Sequence, residues 1–156
     1  MVEEELKVVG ICGIYCGTCP SYLAPRIGDA QQIKVVAERH GIMEEEVACD
    51  GCLSNKVMKT CRICLPGFRG CSAEHGVTWC FECAEFPCDR LARFRGAHMK
   101  DGISHHEHVI EDLTAMKERG IREWVKSQQE EAQCSQCGAT NYWFARLCRQ
   151  CSSTIR

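Results

Sequence analysis

Apolar positions spaced three or four residues apart predict helices in separate parts of the chain. The first helix is predicted to follow Asp29, a plausible N-cap with Gln32 three residues later, and to end at Gly41. Ile33, Val36 and Ala37 supply its narrow apolar face. A local capping signal and a local apolar face therefore agree on one helix near the start of the chain.

The second half of the chain shows the same spacing more strongly. Leu91 and Phe94, three apart, predict a short helix that begins at Asp89 and ends at Gly96. A longer helix is predicted over 104–119, since Ser104 and Glu107 form a capping box and Gly120 suits the position after the last turn. A last helix is predicted over 121–129, with its apolar residues directed inward: Ile121, Trp124 and Val125.

The segment from 49 to 88 has little periodicity and contains several glycines and two prolines, which predicts loops and knuckles with short strands or turns. Such a segment cannot bury enough apolar surface to hold itself, so bound metal must stabilise it. We expect a small α-rich, metal-stabilised fold of about four helices with cysteine knuckle loops. The predicted domains are a body over 1–131 and a zinc-ribbon-like module over 132–156, joined by a polar stretch.

Cysteine is the anomaly of the composition, with 15 in 156 residues. The acidic start lacks a secretory signal and no stretch approaches a membrane span, so we expect a cytoplasmic protein without membrane contact. Disulfides are rare in that reducing compartment, and an odd number of cysteines suits a disulfide framework poorly. The cysteines therefore indicate metal binding, with zinc at three or four sites as the expected cofactor.

The strongest metal signal is the pair Cys134 and Cys137, followed after ten residues by Cys148 and Cys151. Two knuckles at this separation place four sulfurs around one tetrahedral ion. A second four-cysteine site is predicted from Cys49, Cys52, Cys61 and Cys64, and a third from Cys71, Cys80, Cys83 and Cys88. The pairing among these eight stays open, since knuckles often ligate in crossed order, and His75 could replace one cysteine.

Cys12, Cys16 and Cys19 form a C-x-x-x-C-x-x-C group. This spacing is typical of the iron–sulfur site of radical S-adenosylmethionine enzymes, but the chain is too short for the barrel that those enzymes need. A zinc site completed by a distant fourth ligand is the favoured interpretation. An iron–sulfur or redox protein stays open as an alternative.

His105 and His108 could share one face of a helix and act as ligands, but an N-terminal turn with exposed histidines beside the capping Glu107 is the favoured interpretation. No nucleophile with a recognisable histidine and acid partner stands out, and no glycine loop suits a phosphate. The sequence therefore favours a protein that is not an enzyme.

The terminal stretch 134–151 has Asn141 three residues after its second cysteine and resembles the Ran-binding-protein type of zinc finger. Ala132 stands where that family has a leading tryptophan, and Gly138-Ala139 replaces the Thr-Phe pair that binds ubiquitin. Other fingers of this type bind single-stranded RNA by stacking and arginine contacts. The resemblance implies the following nucleic-acid candidates here: Tyr142, Trp143, Arg146 and Arg149. Alternatively, Trp143 packs the module against the body.

Acidic residues are absent from 51–73 and from 132 onward, while the formal net charge of the chain is −2. A tetrathiolate zinc site carries about two negative charges, which nearby basic residues would balance. This interpretation accounts for the acid-free stretches at least as well as a nucleic-acid-binding surface does.

The order of cysteine groups over residues 10–95, with the stretches E-H-G-V and F-P-C, resembles a prokaryotic cysteine-rich family of unknown function, DUF3795. The resemblance implies a zinc-binding role and no activity. We therefore expect a multi-site zinc-binding protein, acting as a non-catalytic adaptor or nucleic-acid-binding module. Its partner would be single-stranded nucleic acid or another protein, and zinc storage or sensing is a further alternative.

Overall fold

The computed structural model describes residues 3–97 and 99–155 of the chain. Helices dominate these residues, and two short strands form the only sheet among them. The helices are α1 (Pro20–Ile27), α2 (Ala30–His40), α3 (Lys59–Ile63), α4 (Phe68–His75), α5 (Asp89–Phe94), α6 (Val109–Arg119) and α7 (Ile121–Ala132). Strands β1 (Met99–Lys100) and β2 (Ile103–Ser104) pair antiparallel. The prediction of an α-rich fold is confirmed, although the helices outnumber the four expected.

Helix α2 forms where its local signals place it. The Asp29 side chain accepts a hydrogen bond from the Gln32 N–H at 2.9 Å, and Gly41 ends the helix in the left-handed conformation. Val36 and Ala37 are buried, as their spacing predicts. Helix α5 likewise begins at Asp89 and buries Leu91 and Phe94. Both helices are specified by residues within their own span.

Helix α6 begins at Val109, so the predicted capping box of Ser104 and Glu107 is wrong. Ser104 lies in β2, and its hydroxyl accepts a hydrogen bond from the His106 N–H in a turn. The hydroxyl therefore accepts a hydrogen bond within a turn and does not cap a helix. Serine side chains readily make such local bonds to the backbone in place of a helix cap. Helix α7 runs three residues further than predicted, to Ala132, where the terminal module was predicted to begin.

Three helices were not predicted from the sequence. Helix α1 has Pro20 at its first position, where the missing N–H costs nothing, and continues through Pro25. Helices α3 and α4 interrupt the region predicted as loops and turns, and neither exceeds eight residues. Each helix is too short for the spacing of its apolar residues to distinguish it from the surrounding loops.

The main core lies where α6 and α7 pack against each other and against the segment that leads to Cys12. Leu113 and Met116 of α6 and Trp124 of α7 are at most 2% exposed. The Trp124 indole N–H donates to Asp112 at 3.0 Å, which satisfies the polar edge of that buried ring.

Smaller cores surround the main one. A second core joins α2 to the segment 47–58 and includes Cys49. A third joins α1 to Tyr142 of the terminal module, and a fourth lies inside that module around Cys134 and Cys148. Among the described residues, no helix is long and apolar enough to cross a membrane.

Candidate metal centres

The four terminal cysteines converge on one point. The sulfurs of Cys134, Cys137, Cys148 and Cys151 all lie within 4.8 Å of one another. The Sγ atoms of Cys134 and Cys151 are 3.6 Å apart, and those of Cys137 and Cys148 are 3.5 Å apart. A tetrahedral zinc ion with sulfur at about 2.3 Å has edges of about 3.8 Å. This group could hold a metal ion, as the spacing predicts.

The two knuckles of the terminal module repeat the same backbone structure. In the first knuckle, the Cys134 N–H donates to the Ala139 carbonyl and the Gly138 N–H donates to the Cys134 carbonyl. In the second knuckle, the Cys148 N–H donates to the Ser153 carbonyl and the Ser152 N–H donates to the Cys148 carbonyl. Gly138 has φ of 74° and Ser152, its counterpart, has φ of 59°. The repeat places each pair of thiols on the same side of its turn, so that the four sulfurs face one centre.

Asn141 joins the two knuckles from a buried position. Its side-chain amide donates to the Ala139 carbonyl of the first knuckle, and its side-chain oxygen accepts from the Arg149 N–H of the second, both at 2.9 Å. Asn141 is 2% exposed. This pair of bonds fixes the separation between the two knuckles.

Hydrogen bonds favour the thiolate form of two cysteines in this module, Cys134 and Cys148. The Ser153 hydroxyl lies 3.1 Å from the sulfurs of both Cys134 and Cys151. This contact, with neighbouring backbone N–H groups, lowers the pKa of Cys134 to about 6. Backbone N–H groups, led by that of Cys151, also lower the pKa of Cys148. Thiolates are the form that binds metal, so these two cysteines are prepared for a cation. The Ala139 N–H lowers the pKa of Cys137, but burial and contacts with the other three thiols outweigh it and raise that pKa to about 12.

Tyr142 anchors the terminal module to the start of α2. Its hydroxyl donates to the Asp29 carboxylate at 2.8 Å, and its ring packs on Leu23 and Ala24 of α1. Burial, followed by the bond to Asp29, raises the pKa of this phenol. Tyr142 therefore serves contact with the body, and its ring is not an exposed stacking surface.

Trp143 and Arg146 also contact the body. Trp143 is 8% exposed and its ring stacks on His105, while its backbone N–H donates to the Thr18 carbonyl. Arg146 donates to the Asp101 carbonyl at 2.7 Å. The fourth nucleic-acid candidate, Arg149, donates to the Thr140 carbonyl within the module, and its side chain is exposed. The alternative prediction, that Trp143 packs the module against the body, describes the observed contact.

Four cysteines of the central region line one small cavity of about 30 Å³: Cys71, Cys80, Cys83 and Cys88. His75 borders the same cavity, and its Nδ1 lies 3.8 Å from the Cys71 sulfur. Burial and the neighbouring thiols, Cys88 first, raise the pKa of Cys80 to about 12. The four cysteines predicted as a third site thus border one cavity, but no three of their sulfurs lie within 4.8 Å of one another.

The remaining seven cysteines form what we call the seven-thiol group: Cys12, Cys16, Cys19, Cys49, Cys52, Cys61 and Cys64. Cys12 and Cys49 are buried, while Cys61 is exposed at the edge. Burial raises the pKa of Cys12 and of Cys16, and for both thiols Cys52 is the next largest cause. The Cys12 group and the central pairs, predicted as two separate sites, therefore lie beside each other.

Two arginines lie beside this group. Arg69 donates to the carbonyls of Cys52 and Cys61, and its guanidinium lies 3.6 Å from the Cys52 sulfur. Arg26 donates to the Cys49 carbonyl at 2.7 Å and to Asp50 at 2.8 Å. Arg69 falls in the acid-free stretch, and its contacts match the interpretation that basic residues there balance thiolates.

His105 and His108 line a cavity of about 550 Å³ between the body and the terminal module. His105 contacts the Tyr15 carbonyl at 3.2 Å. Carboxylates border the same cavity, among them Glu111 and Asp112. Among the described residues, only the four terminal cysteines bring three or more ligand atoms within 4.8 Å of one another. Neither these histidines nor the other predicted cysteine sites, between Cys12 and Cys88, form such a group.

Comparison with known protein families matches residues 8–93 to a family described as a protein of unknown function (DUF3795). The match covers the seven-thiol group and the four central cysteines, and it ends before α6. No curated protein and no solved structure gives a significant match.

Proposed function

The chain belongs to this cysteine-rich family of unknown function, and we propose that it is a multi-site zinc protein that acts as a non-catalytic adaptor. Zinc bound by thiolates would hold the loops of the body, and one further zinc would hold the terminal module. The fixed surface that results would bind a partner protein. The family description names no activity, so the proposal rests on the residues of this chain.

The observation that carries the proposal is the closed tetrahedron of four terminal thiols. Structural zinc sites use four protein ligands, whereas catalytic sites keep one position for water or substrate. Four sulfurs within 4.8 Å leave no such position. Zinc suits the set because it accepts tetrahedral thiolates without a redox change.

The contacts of the terminal module support an adaptor over a mobile finger. Tyr142 and Trp143 are buried against the body, so the zinc of the module also fixes the surface on which it is docked. Such a surface is preorganised for a partner, which lowers the entropic cost of binding.

Elemental analysis of anaerobically purified protein tests this function. We expect zinc in a molar excess over the chain and no iron, with a zinc content that does not change on exposure to air. Iron with acid-labile sulfide would instead support the alternative of an iron–sulfur protein based on Cys12, Cys16 and Cys19. Release of one zinc to a weak chelator within seconds, with the remainder retained, would support zinc storage or sensing.

Binding of single-stranded nucleic acid stays a prediction, and the two exposed arginines are its remaining support. Arg146 and Arg149 lie in a stretch without acidic residues. If they contact phosphates, affinity for a labelled single-stranded RNA falls with rising salt, and Arg149→Ala weakens it equally for all sequences. Arg39→Ala, on the exposed side of α2, is the matched control.

A further inference from the structure

The turn that ends α3 carries the two most exposed large apolar side chains among the described residues. Ile63 is 63% exposed and Leu65 is 85% exposed, and Pro66, which follows them, is exposed as well. We call residues 63–66 the apolar turn. A single exposed apolar residue is ordinary on a protein surface, so this group is informative through its backbone and its charged neighbours.

Hydrogen bonds hold the backbone of the apolar turn on both sides. Arg69 donates to the Cys61 carbonyl at 3.0 Å before the turn, and Arg90 donates to the Pro66 carbonyl at 3.1 Å at its end. Between them, Cys64 has φ of 50°, which reverses the chain after α3. The exposed side chains therefore project from a backbone that is already ordered, and little conformational entropy is lost when a partner covers them.

Basic side chains that no carboxylate neutralises precede the apolar turn. Lys56, Lys59 and Arg62 are exposed, and no acidic residue lies between 51 and 73. The ion pairs among the described residues all involve other groups. Arg69 is different, because its guanidinium lies 3.6 Å from the Cys52 sulfur and serves the thiols. Exposed apolar and exposed positive groups thus occur together on α3 and the turn that ends it.

We propose that α3 and the apolar turn form a docking site for an acidic protein segment that carries apolar side chains. Ile63 and Leu65 enter an apolar pocket of the partner, while Lys59 and Arg62 pair with its carboxylates. A guanidinium suits this role, because it binds a carboxylate through two parallel hydrogen bonds. The inference rests on the proposed adaptor function and adds the chemistry of the partner to it.

The residues of this surface favour a protein partner over single-stranded nucleic acid. Proteins that hold single strands combine basic groups with aromatic rings on which the bases stack. The one aromatic residue of the acid-free stretch 51–73 is Phe68, and it is only 2% exposed. The surface therefore offers aliphatic side chains, which pack into apolar protein pockets, and no ring for a base.

The same residues favour a protein partner over an anionic membrane. The side chains of Ile63 and Leu65 together have fewer carbons than one myristoyl chain, which by itself binds membranes only marginally and reversibly. A protein segment can instead enclose both side chains and place its carboxylates at fixed positions beside Lys59 and Arg62.

Selection of short random peptides displayed on phage, against the immobilised full chain, tests the docking site. We expect the enriched peptides to contain both acidic and large apolar residues, and synthetic copies should bind less tightly as the salt concentration rises. Leu65→Ser and Arg62→Glu should each weaken this binding about tenfold. The matched controls Leu147→Ser and Lys126→Glu change an exposed apolar and an exposed basic residue elsewhere, and should leave it unchanged.

The variant at Leu65 separates loss of contact from loss of folding. Because this side chain is 85% exposed, Leu65→Ser should keep the circular dichroism and the zinc content of the original chain. The docking site would be overturned by a selection without enrichment, by enriched peptides without acidic residues, or by binding that neither variant of the site weakens. Cosedimentation with phosphatidylserine vesicles, or binding of a single-stranded RNA, would also overturn it if Leu65→Ser abolished that binding.

Zinc analysis of the same preparation distinguishes this inference from the proposed zinc function. A failed selection on a chain with its full zinc content would overturn the docking site and leave the zinc function intact. Acidic peptides that bind through Leu65 to a chain that contains iron in place of zinc would support the docking site and overturn the zinc function.

Discussion

The ring of Trp143 in the terminal module lies face to face with that of His105 in the body, with centroids 5.0 Å apart and planes 3° from parallel. The indole is 8% exposed, and the adjacent Tyr142 hydroxyl binds Asp29. Residues that would serve a free finger as stacking surfaces thus serve here as anchors to the body. These buried contacts consequently attach the terminal module to the body.

Replacement of Trp143 by alanine should detach the terminal module. Loss of a buried aromatic side chain costs about 3 to 5 kcal/mol, to which the stacking contact contributes. We expect a lower midpoint of thermal unfolding and rapid proteolysis between α7 and the first knuckle, with the zinc content unchanged. Trp143→Phe should retain more than half of the stability that Trp143→Ala loses, since it keeps an aromatic ring against His105.

An unchanged midpoint in Trp143→Ala would show that the stack contributes nothing to the attachment. A zinc content that falls together with the unfolding midpoint would contradict the expectation that this anchor does not affect metal binding. The exposed Leu147, which is 57% exposed in the same module, provides the control substitution Leu147→Ala, for which we expect no effect.

The bond between Tyr142 and Asp29 should contribute measurably to the same attachment. A hydrogen bond to a charged group is worth about 1.5 to 3 kcal/mol, so Tyr142→Phe should lower the free energy of unfolding by about that amount. Asp29→Asn keeps the cap of α2, because asparagine is an equally good N-cap. A double-mutant cycle by urea unfolding should give a coupling energy of about 1 kcal/mol, and a coupling near zero would refute a direct interaction.

The elements that were predicted correctly are those specified by neighbouring residues. The terminal four cysteines follow from spacing alone, because both knuckles lie within 18 consecutive residues. Helix α2 likewise follows from Asp29, Gln32 and the apolar positions between the caps. Each of these signals is complete before any long-range contact forms.

The grouping of the other cysteines depends on long-range contacts and could not be read from spacing. Gly51 approaches Lys7 across more than 40 residues, and Arg69 joins knuckles that the sequence separates. The same cause explains the error at Ser104, since β2 forms by pairing with β1 and takes that residue out of the helix. A local capping pattern cannot report a competing strand partner.

Asn141 should control how tightly the terminal module holds its metal. Asn141→Ala removes two hydrogen bonds at a position 2% exposed and leaves the Arg149 N–H and the Ala139 carbonyl without these partners. We expect a loss of about 2 kcal/mol, which corresponds to roughly thirtyfold weaker zinc binding in competition with a chromophoric chelator. Asn141→Asp keeps the acceptor for Arg149 and should lose less. Equal affinities in all three proteins would show that the knuckles do not need this link.

Loss of a terminal ligand should unfold the module and leave the body folded. Cys148→Ser removes one of the four converging thiols. The free energy of zinc binding to the three remaining thiols should then be too small to offset the entropic cost of ordering the two knuckles. The main core around Leu113, Met116 and Trp124 does not include any of the four terminal cysteines, so α6 and α7 should persist. We expect loss of one zinc, alkylation of the three remaining terminal thiols, and most of the helical circular dichroism retained.

Gln150→Ala, between the two ligands of the same knuckle, is the matched control and should keep full zinc content. If Cys148→Ser loses the helical signal entirely, the body requires the docked module in order to fold, and the division of the chain near residue 132 is wrong.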